Sequence, residues 1–264
     1  LKTVLSHWIF GKESSAKPAI FLDFGAVMLI GAMILPGTPS LVFLFYVLLL
    51  LPWMAFRSSR RLKQQPELLA DGRVRRRVWT STVLLLLLLL WMAAATGRGF
   101  GYDVFEAPED VAGTVWKSSL SLAVSLLLML SSSLLRTAEQ RREMFVYRLV
   151  PGNGREWALK LLVAVTAGVA EEAVYRGVLL QILWYSLDSF TAAVAVSAVA
   201  FALAHRQQGL QSMLLIVLIA LQMHWLVQST GSLLGAMAAH TLYDIVAMFW
   251  IARQAKRDAV IASL

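Results

Sequence analysis

Apolar residues in this chain come in unbroken blocks, many close to the roughly 20 residues a helix needs to cross a bilayer core, rather than alternating with polar ones. Eight such blocks are predicted to be membrane-spanning helices, at 19–35, 40–56, 79–96, 118–135, 160–185, 190–205, 211–228 and 231–251. The first two are joined by Pro36-Gly37-Thr38-Pro39, a turn signature, and the third holds an uninterrupted leucine run from Leu84 to Leu90. The sixth is rich in alanine and the seventh is flanked by polar residues, so their ends are the least sharply marked. The stretch up to Pro18 lacks the apolar core of a signal peptide and reads as an interfacial lead-in. The pattern predicts an all-α polytopic membrane bundle. It divides into the lead-in 1–18, membrane helices and basic loops over 19–150, a second membrane unit over 151–252 and a tail over 253–264.

Composition agrees with a membrane as solvent: 58% of the 264 residues are hydrophobic and 15% charged, too little polar surface to coat a soluble globule. The net charge of +8 raises nucleic acid as a partner, but the basic residues sit in short segments between apolar blocks, where they orient a chain in a bilayer. Arg57, Arg60, Arg61, Lys63, Arg73, Arg75, Arg76 and Arg77 mark the loop after the second block as cytoplasmic, and Asp103, Glu106, Glu109 and Asp110 place the next loop outside. Basic character returns after the fourth block and in the tail, so both termini are expected in the cytoplasm. The partners expected are a lipid bilayer and a membrane-held substrate, not nucleic acid. With no cysteine, disulfides, thiolate zinc sites and a cysteine nucleophile are excluded.

Ionisable residues are concentrated in the second half, where the fifth block holds Glu171, Glu172 and Arg176 and the last three blocks hold His205, His224, His240 and Asp244. Each such group near a helix centre costs about 2.5–3.5 kcal/mol, so its retention points to function, facing a bundle interior or a wet cavity. Glu172 and Arg176 are four apart, the acid first, which favours an ion pair on one helix face. Glu171 then projects about 100° away and is the freer carboxylate. His240 and Asp244 share a face, as do Phe201 and His205. Counting about 1.5 Å per residue puts Glu171 about 16 Å and His240 about 14 Å into their helices, both near mid-membrane. His224 is expected to be hydrogen-bonded within the bundle, and Asp23 on the first block to lie near the interface or in a pair.

Glu171-Glu172-Ala173-Val174-Tyr175-Arg176, Phe201-Ala202-Leu203-Ala204-His205 and His240-Thr241-Leu242-Tyr243-Asp244 together resemble the three signature motifs of the CAAX protease and bacteriocin-processing (CPBP) family. Its members are intramembrane glutamic endopeptidases, and it includes the type II CAAX prenyl endopeptidases. The resemblance covers residues 160–250 and implies a catalytic membrane core within 151–252. It implies that Glu171 is the general base that activates water, assisted by His205, with His240 and the residue at 244 stabilising the oxyanion and Glu172, Arg176 and Phe201 in support. Asp244 stands where the family more often has Asn, and an ionised Asp cannot donate a hydrogen bond. Either burial keeps it protonated, or it orients His240 and leaves the imidazole as donor.

The resemblance favours a metal-free site; were zinc used, Glu171, His205 and His240 would be its ligands, although the local His-Glu-x-x-His pairing of many metalloproteases is absent. It leaves the substrate open among a prenylated CAAX-like tail, a leader peptide and a sorting tail, and the membrane open between a bacterial inner membrane and the endoplasmic reticulum. Two readings from other classes compete. A transporter also uses mid-membrane polar groups, but no repeat of the first four blocks is seen in the last four. A catalytically idle scaffold or bacteriocin-immunity-type protein would be favoured by a lost motif residue, whereas Glu171, His205 and His240 are all present.

Overall fold

The computed structural model describes residues 39–64 and 66–262, and over these the chain is helical, without a strand. The block expected at 19–35, Asp23, the lead-in and the turn up to Thr38 lie outside the described residues. Helix α1 (Pro39–Phe45) passes through a π-helical turn (Tyr46–Leu50) into α2 (Leu51–Gln64), and a 3-10 turn (Pro66–Ala70) leads to α3 (Gly72–Gly99) and then α4 (Val111–Leu134). Two short helices, α5 (Ala138–Glu143) and α6 (Phe145–Arg148), precede α7 (Gly154–Glu171). A second π-helical stretch (Glu172–Val178) continues it into α8 (Leu179–Leu187), followed by α9 (Phe190–Ala204), a 3-10 turn (Arg206–Gln208), α10 (Leu210–Thr230) and α11 (Leu233–Ala262).

Five stretches among the described residues are long and apolar enough to cross a membrane: Ser40–Arg60, Gly72–Gly99, Val111–Leu134, Leu210–Thr230 and Leu233–Ala259. The expected eight is not reached, and each shortfall has its own cause. The continuous helix through α7 and α8 carries Glu156, Lys160, Glu171, Glu172 and Arg176. Helix α9 has 15 residues, about 22 Å of rise, and the first block lies outside the described residues. Helix starts are set by polar caps the apolar count could not weigh. Asp71 accepts from the Arg73 backbone N–H at 2.7 Å, so α3 begins seven residues before the expected 79, and Asp110 accepts from Gly113 N–H at 2.9 Å, so α4 begins at 111.

The start of α7 is pinned to α3 by Glu156, whose fully buried carboxylate accepts from Arg75 at 2.9 Å, Arg76 at 3.3 Å and the Gly152 backbone N–H at 2.8 Å. Burial pushes its carboxyl up, but the hydrogen bonds from Gly152 and Arg75 and the charges of Arg75 and Arg76 outweigh it and hold the group below the usual carboxylate range. A carboxyl lowered on folding contributes stability above its unfolded value, about 4.3, and that contribution is lost as pH falls through the folded one. Thermal unfolding in detergent between pH 7 and pH 3 should therefore show a smaller acid destabilisation for Glu156→Gln than for the native chain. At pH 7 the variant should be less stable, toward the lower end of the roughly 3–5 kcal/mol for breaking a buried pair, because Arg76 is partly solvated. Identical acid profiles would show that the pair does not anchor α7.

Packing brings the last five long helices and the first ones into one bundle: α7 lies against α3 and α11, α11 against α4, α4 against α10, α10 against α9, and α9 against α2 and α8. Helices α7 and α11 cross at Gly168, where a β-carbon would come within 2.7 Å of the Thr241 backbone nitrogen and 2.8 Å of its Cα. Only a residue without a side chain lets the two backbones approach so closely, and the crossing sits one residue from His240 and three from Glu171. Helix α11 also runs on through 253–262, with Asp258 paired to Arg141 at 2.7 Å.

Candidate active site

Residues Glu172 to Val178 are all buried and wound as a π-helix, a wider turn than the α-helix assumed from the sequence. The Ser197 hydroxyl, from α9, donates to the Tyr175 carbonyl at 2.7 Å and ties this turn to its neighbour. Arg176 and Glu172 form the expected pair at 3.2 Å, with almost no exposure on either side. The Phe201 ring lies 4.4 Å from the Arg176 guanidinium carbon, in cation–π geometry, and packs against Tyr175 and His205.

Glu171 is the end residue of α7 and meets two other helices at once: one carboxylate oxygen is 3.8 Å from His205 Nε2, the other 3.8 Å from His240 Nε2. His205 caps α9, and its Nδ1 lies 2.9 Å from the Phe201 carbonyl. A carbonyl only accepts, so Nδ1 carries a proton, and in the neutral ring Nε2 turns a lone pair toward Glu171.

His240 differs from expectation. Its Nδ1 donates to Glu172 Oε1 at 2.7 Å, so Glu172 holds the ring, while Asp244 lies 3.9 Å from Nε2 with 31% of its side chain exposed. The contact on Nδ1 is thus made by Glu172, and Asp244 stands near the other nitrogen. Sequence reading missed this because the Glu172–Arg176 spacing looked like a completed pair. Glu172 Oε1 accepts from both Arg176 and His240, so the ion pair leaves room for a second donor on the same oxygen. His224, expected to be bonded within the bundle, is 3% exposed, and neither ring nitrogen has a hydrogen-bond partner among the described residues. It stands on α10, within electrostatic reach of Arg176 and Glu172 but not in contact with their polar atoms.

These groups line a cavity of about 450 Å³. Leu51 and Met54 of α2 and Leu85, Leu86 and Leu89 of α3 form an apolar wall, while Arg136, Tyr147, Lys160 and Gln254 surround the end nearer the basic loops. Helix α2 also meets the turn after His205, where Phe56 lies between Arg60 at 4.5 Å and Arg206 at 5.9 Å. The set named for zinc, Glu171, His205 and His240, converges on one side of the cavity. Among the described residues no group of three His, Asp or Glu side chains is drawn close enough to hold a metal ion.

Residues 153–246 match the sequence model of a family described as type II CAAX prenyl endopeptidase Rce1-like, and the match includes all three motif segments. Neither a curated protein nor a solved structure matches the chain. The matched family is one of protease-type hydrolases, and with five helices among the described residues long and apolar enough to cross a bilayer the chain is an integral membrane protein. Over residues 153–246 the chain is similar to the Rce1-like type II CAAX prenyl endopeptidases.

Proposed function

We propose that this chain is an intramembrane endopeptidase that cleaves a membrane-anchored peptide by water activated between Glu171 and His205. The observation that carries the reading is the pair of proton acceptors facing each other at 3.8 Å, too far apart for a direct hydrogen bond. A water about 2.8 Å from each would donate one hydrogen to the carboxylate and the other to Nε2, leaving its oxygen lone pair free to attack. Water oxygen bonds to the scissile carbonyl carbon as Glu171 takes its proton. The carbonyl oxygen becomes the oxyanion, which accepts from the Nε2–H of His240, acting as the imidazolium because its Nδ1–H already donates to Glu172. Collapse expels the amine, to which Glu171 returns the proton. Glu172, fixed by Arg176, accepts the Nδ1–H of His240 and keeps its other nitrogen aimed at the oxyanion. Asp244, about one turn further along α11, stands beside that nitrogen and not behind the ring.

In this reading the basic loops and both ends of the bundle face the cytoplasm, in a bacterial inner membrane or the endoplasmic reticulum, and no metal is required. The test is cleavage of a prenylated CAAX peptide by the detergent-purified protein, with and without a zinc chelator. Activity that survives chelation and falls at least 100-fold in His205→Ala is the expected result. Chelator-sensitive activity restored by zinc would instead make Glu171, His205 and His240 metal ligands.

A further inference from the structure

The exposed face of α2 carries two aromatic–arginine pairs, each spaced by four residues: Arg57 lies 5.4 Å from the centre of the Trp53 ring, and Arg60 lies 4.5 Å from that of Phe56. A further guanidinium reaches the same Phe56 ring from far along the chain. Arg206, the residue after His205, lies 5.9 Å from it, with Nη1 3.9 Å from the Met213 sulfur. Because they share one ring centre, the guanidinium carbons of Arg60 and Arg206 are no more than about 10 Å apart. Among the described residues neither arginine has a carboxylate within 4.0 Å, and both are exposed. An aromatic face is a weak tether for two like charges, and an anion between them would remove the repulsion.

Placement and surroundings say which anion. Arg60 closes the apolar stretch Ser40–Arg60, and Arg206 stands four residues before the stretch Leu210–Thr230. Both therefore lie where a helix leaves the hydrocarbon, at the depth of lipid phosphates. Large apolar side chains are exposed around them, Trp53 and Phe56 on α2 and Leu203 and Leu210 on either side of Arg206. A free phosphate would gain nothing from these, whereas acyl chains would cover them. A guanidinium fork matches two phosphate oxygens; with N–H···O distances of about 2.8 Å, two forks on opposite sides of one phosphate hold their carbons roughly 8 Å apart, inside the limit set by the Phe56 ring. Arg57 adds a third positive charge beside the pair, which disfavours a headgroup that carries its own cation.

We propose that Arg60, Phe56 and Arg206 form a binding site for the headgroup phosphate of an anionic glycerophospholipid, in the leaflet where the basic segment after α2 emerges. The site takes no part in bond cleavage and stands whether or not the chain is an endopeptidase. Its effect on the rest of the bundle is mechanical. Helix α2 packs on the turn Arg206–Gln208, and the Gln208 backbone N–H donates to the His205 carbonyl at 2.9 Å. A lipid that ties Arg60 to Arg206 therefore steadies the turn that presents His205.

The test offers the detergent-purified protein equal amounts of dioleoylphosphatidylglycerol and dioleoylphosphatidylcholine and counts the retained lipid by native mass spectrometry. Expected is a preference of about 10-fold for the anionic lipid, falling below about 3-fold when Arg60→Gln and Arg206→Gln are combined. Phe56→Leu, which leaves both arginines charged but without their shared ring, should lower it as well. Combined Arg73→Gln and Arg77→Gln removes the same charge from exposed positions on α3 and should keep the preference, which separates a built site from the general attraction of a basic surface. Phosphatidylglycerol should also raise the Tm of the native protein and not that of the Arg60→Gln and Arg206→Gln variant. Equal retention of the two lipids, equal loss in both double variants, or displacement of the bound lipid by millimolar inorganic phosphate would overturn the site.

Discussion

Glu171→Gln should lower kcat by about 10²–10⁴ with little change in KM, because the amide keeps the shape of the carboxylate but cannot take a proton from water. The substitution also leaves the fold intact: Glu171 makes no ion pair closer than 3.8 Å, and its neighbour Glu172, not Glu171, neutralises Arg176. Thermal stability of the purified variant should therefore match the native protein within about 0.5 kcal/mol. The contrast with Glu172→Gln is the sharper check. That change weakens the carboxylate held by both Arg176 and His240, so it should lose activity and stability together. Single-turnover cleavage and melting in the same detergent separate the two. Activity retained by Glu171→Gln would remove the proposed mechanism.

Gly168→Ala should be nearly as damaging to activity although it alters no polar group. The new methyl would meet the Thr241 backbone nitrogen at 2.7 Å and Cα at 2.8 Å, so α11 has to retreat by several tenths of an ångström or more. His240 precedes Thr241 and would move with it, away from both Glu171 and Glu172. Misplacement of about 1 Å in a catalytic group can cost about 100-fold, and overpacking about 1–3 kcal/mol. Thr241→Ala should rescue the variant only in part: it removes the hydroxyl, the nearest obstruction, but leaves the backbone nitrogen and Cα in place. Gly154→Ala, with nothing within 4 Å of the added carbon, is the neutral control. Full activity in Gly168→Ala would mean that the crossing is not what sets the His240 position.

Several of these relations were legible in the residues and others were not. Blocks at 40–56, 79–96 and 211–228 announced their helices because long apolar runs admit no other structure, and the Glu172–Arg176 pair followed from spacing alone. Convergence of Glu171, His205 and His240 was expected only through family resemblance, since neighbour relations between helices leave no periodic trace. The Glu172–His240 contact was hidden for the same reason, joining residues 68 apart. The π-helical winding of Glu172–Val178 was invisible because its residues have ordinary helix preferences, and the Ser197 contact that supports its carbonyl comes from another helix. Helix ends slipped by up to seven residues where Asp71 and Asp110 cap charged or polar first turns.

The apolar wall of the cavity has a consequence for how such a protein can diversify. Leu51, Met54, Leu85, Leu86 and Leu89 lie outside the segment that matches the family, as does Arg136, whereas every group assigned to bond cleavage lies within it. The groups proposed for the chemistry thus lie in one stretch of chain, and the wall built by α2 and α3 in another. Mutation of the first stretch is held back by the need to keep acid, imidazole and crossing glycine in register, while the wall can drift residue by residue with only packing to satisfy. The Phe56 contact with Arg206 couples the two just after His205, so a fragment limited to 153–246 would keep its reactive groups but lose one support of the turn that presents them.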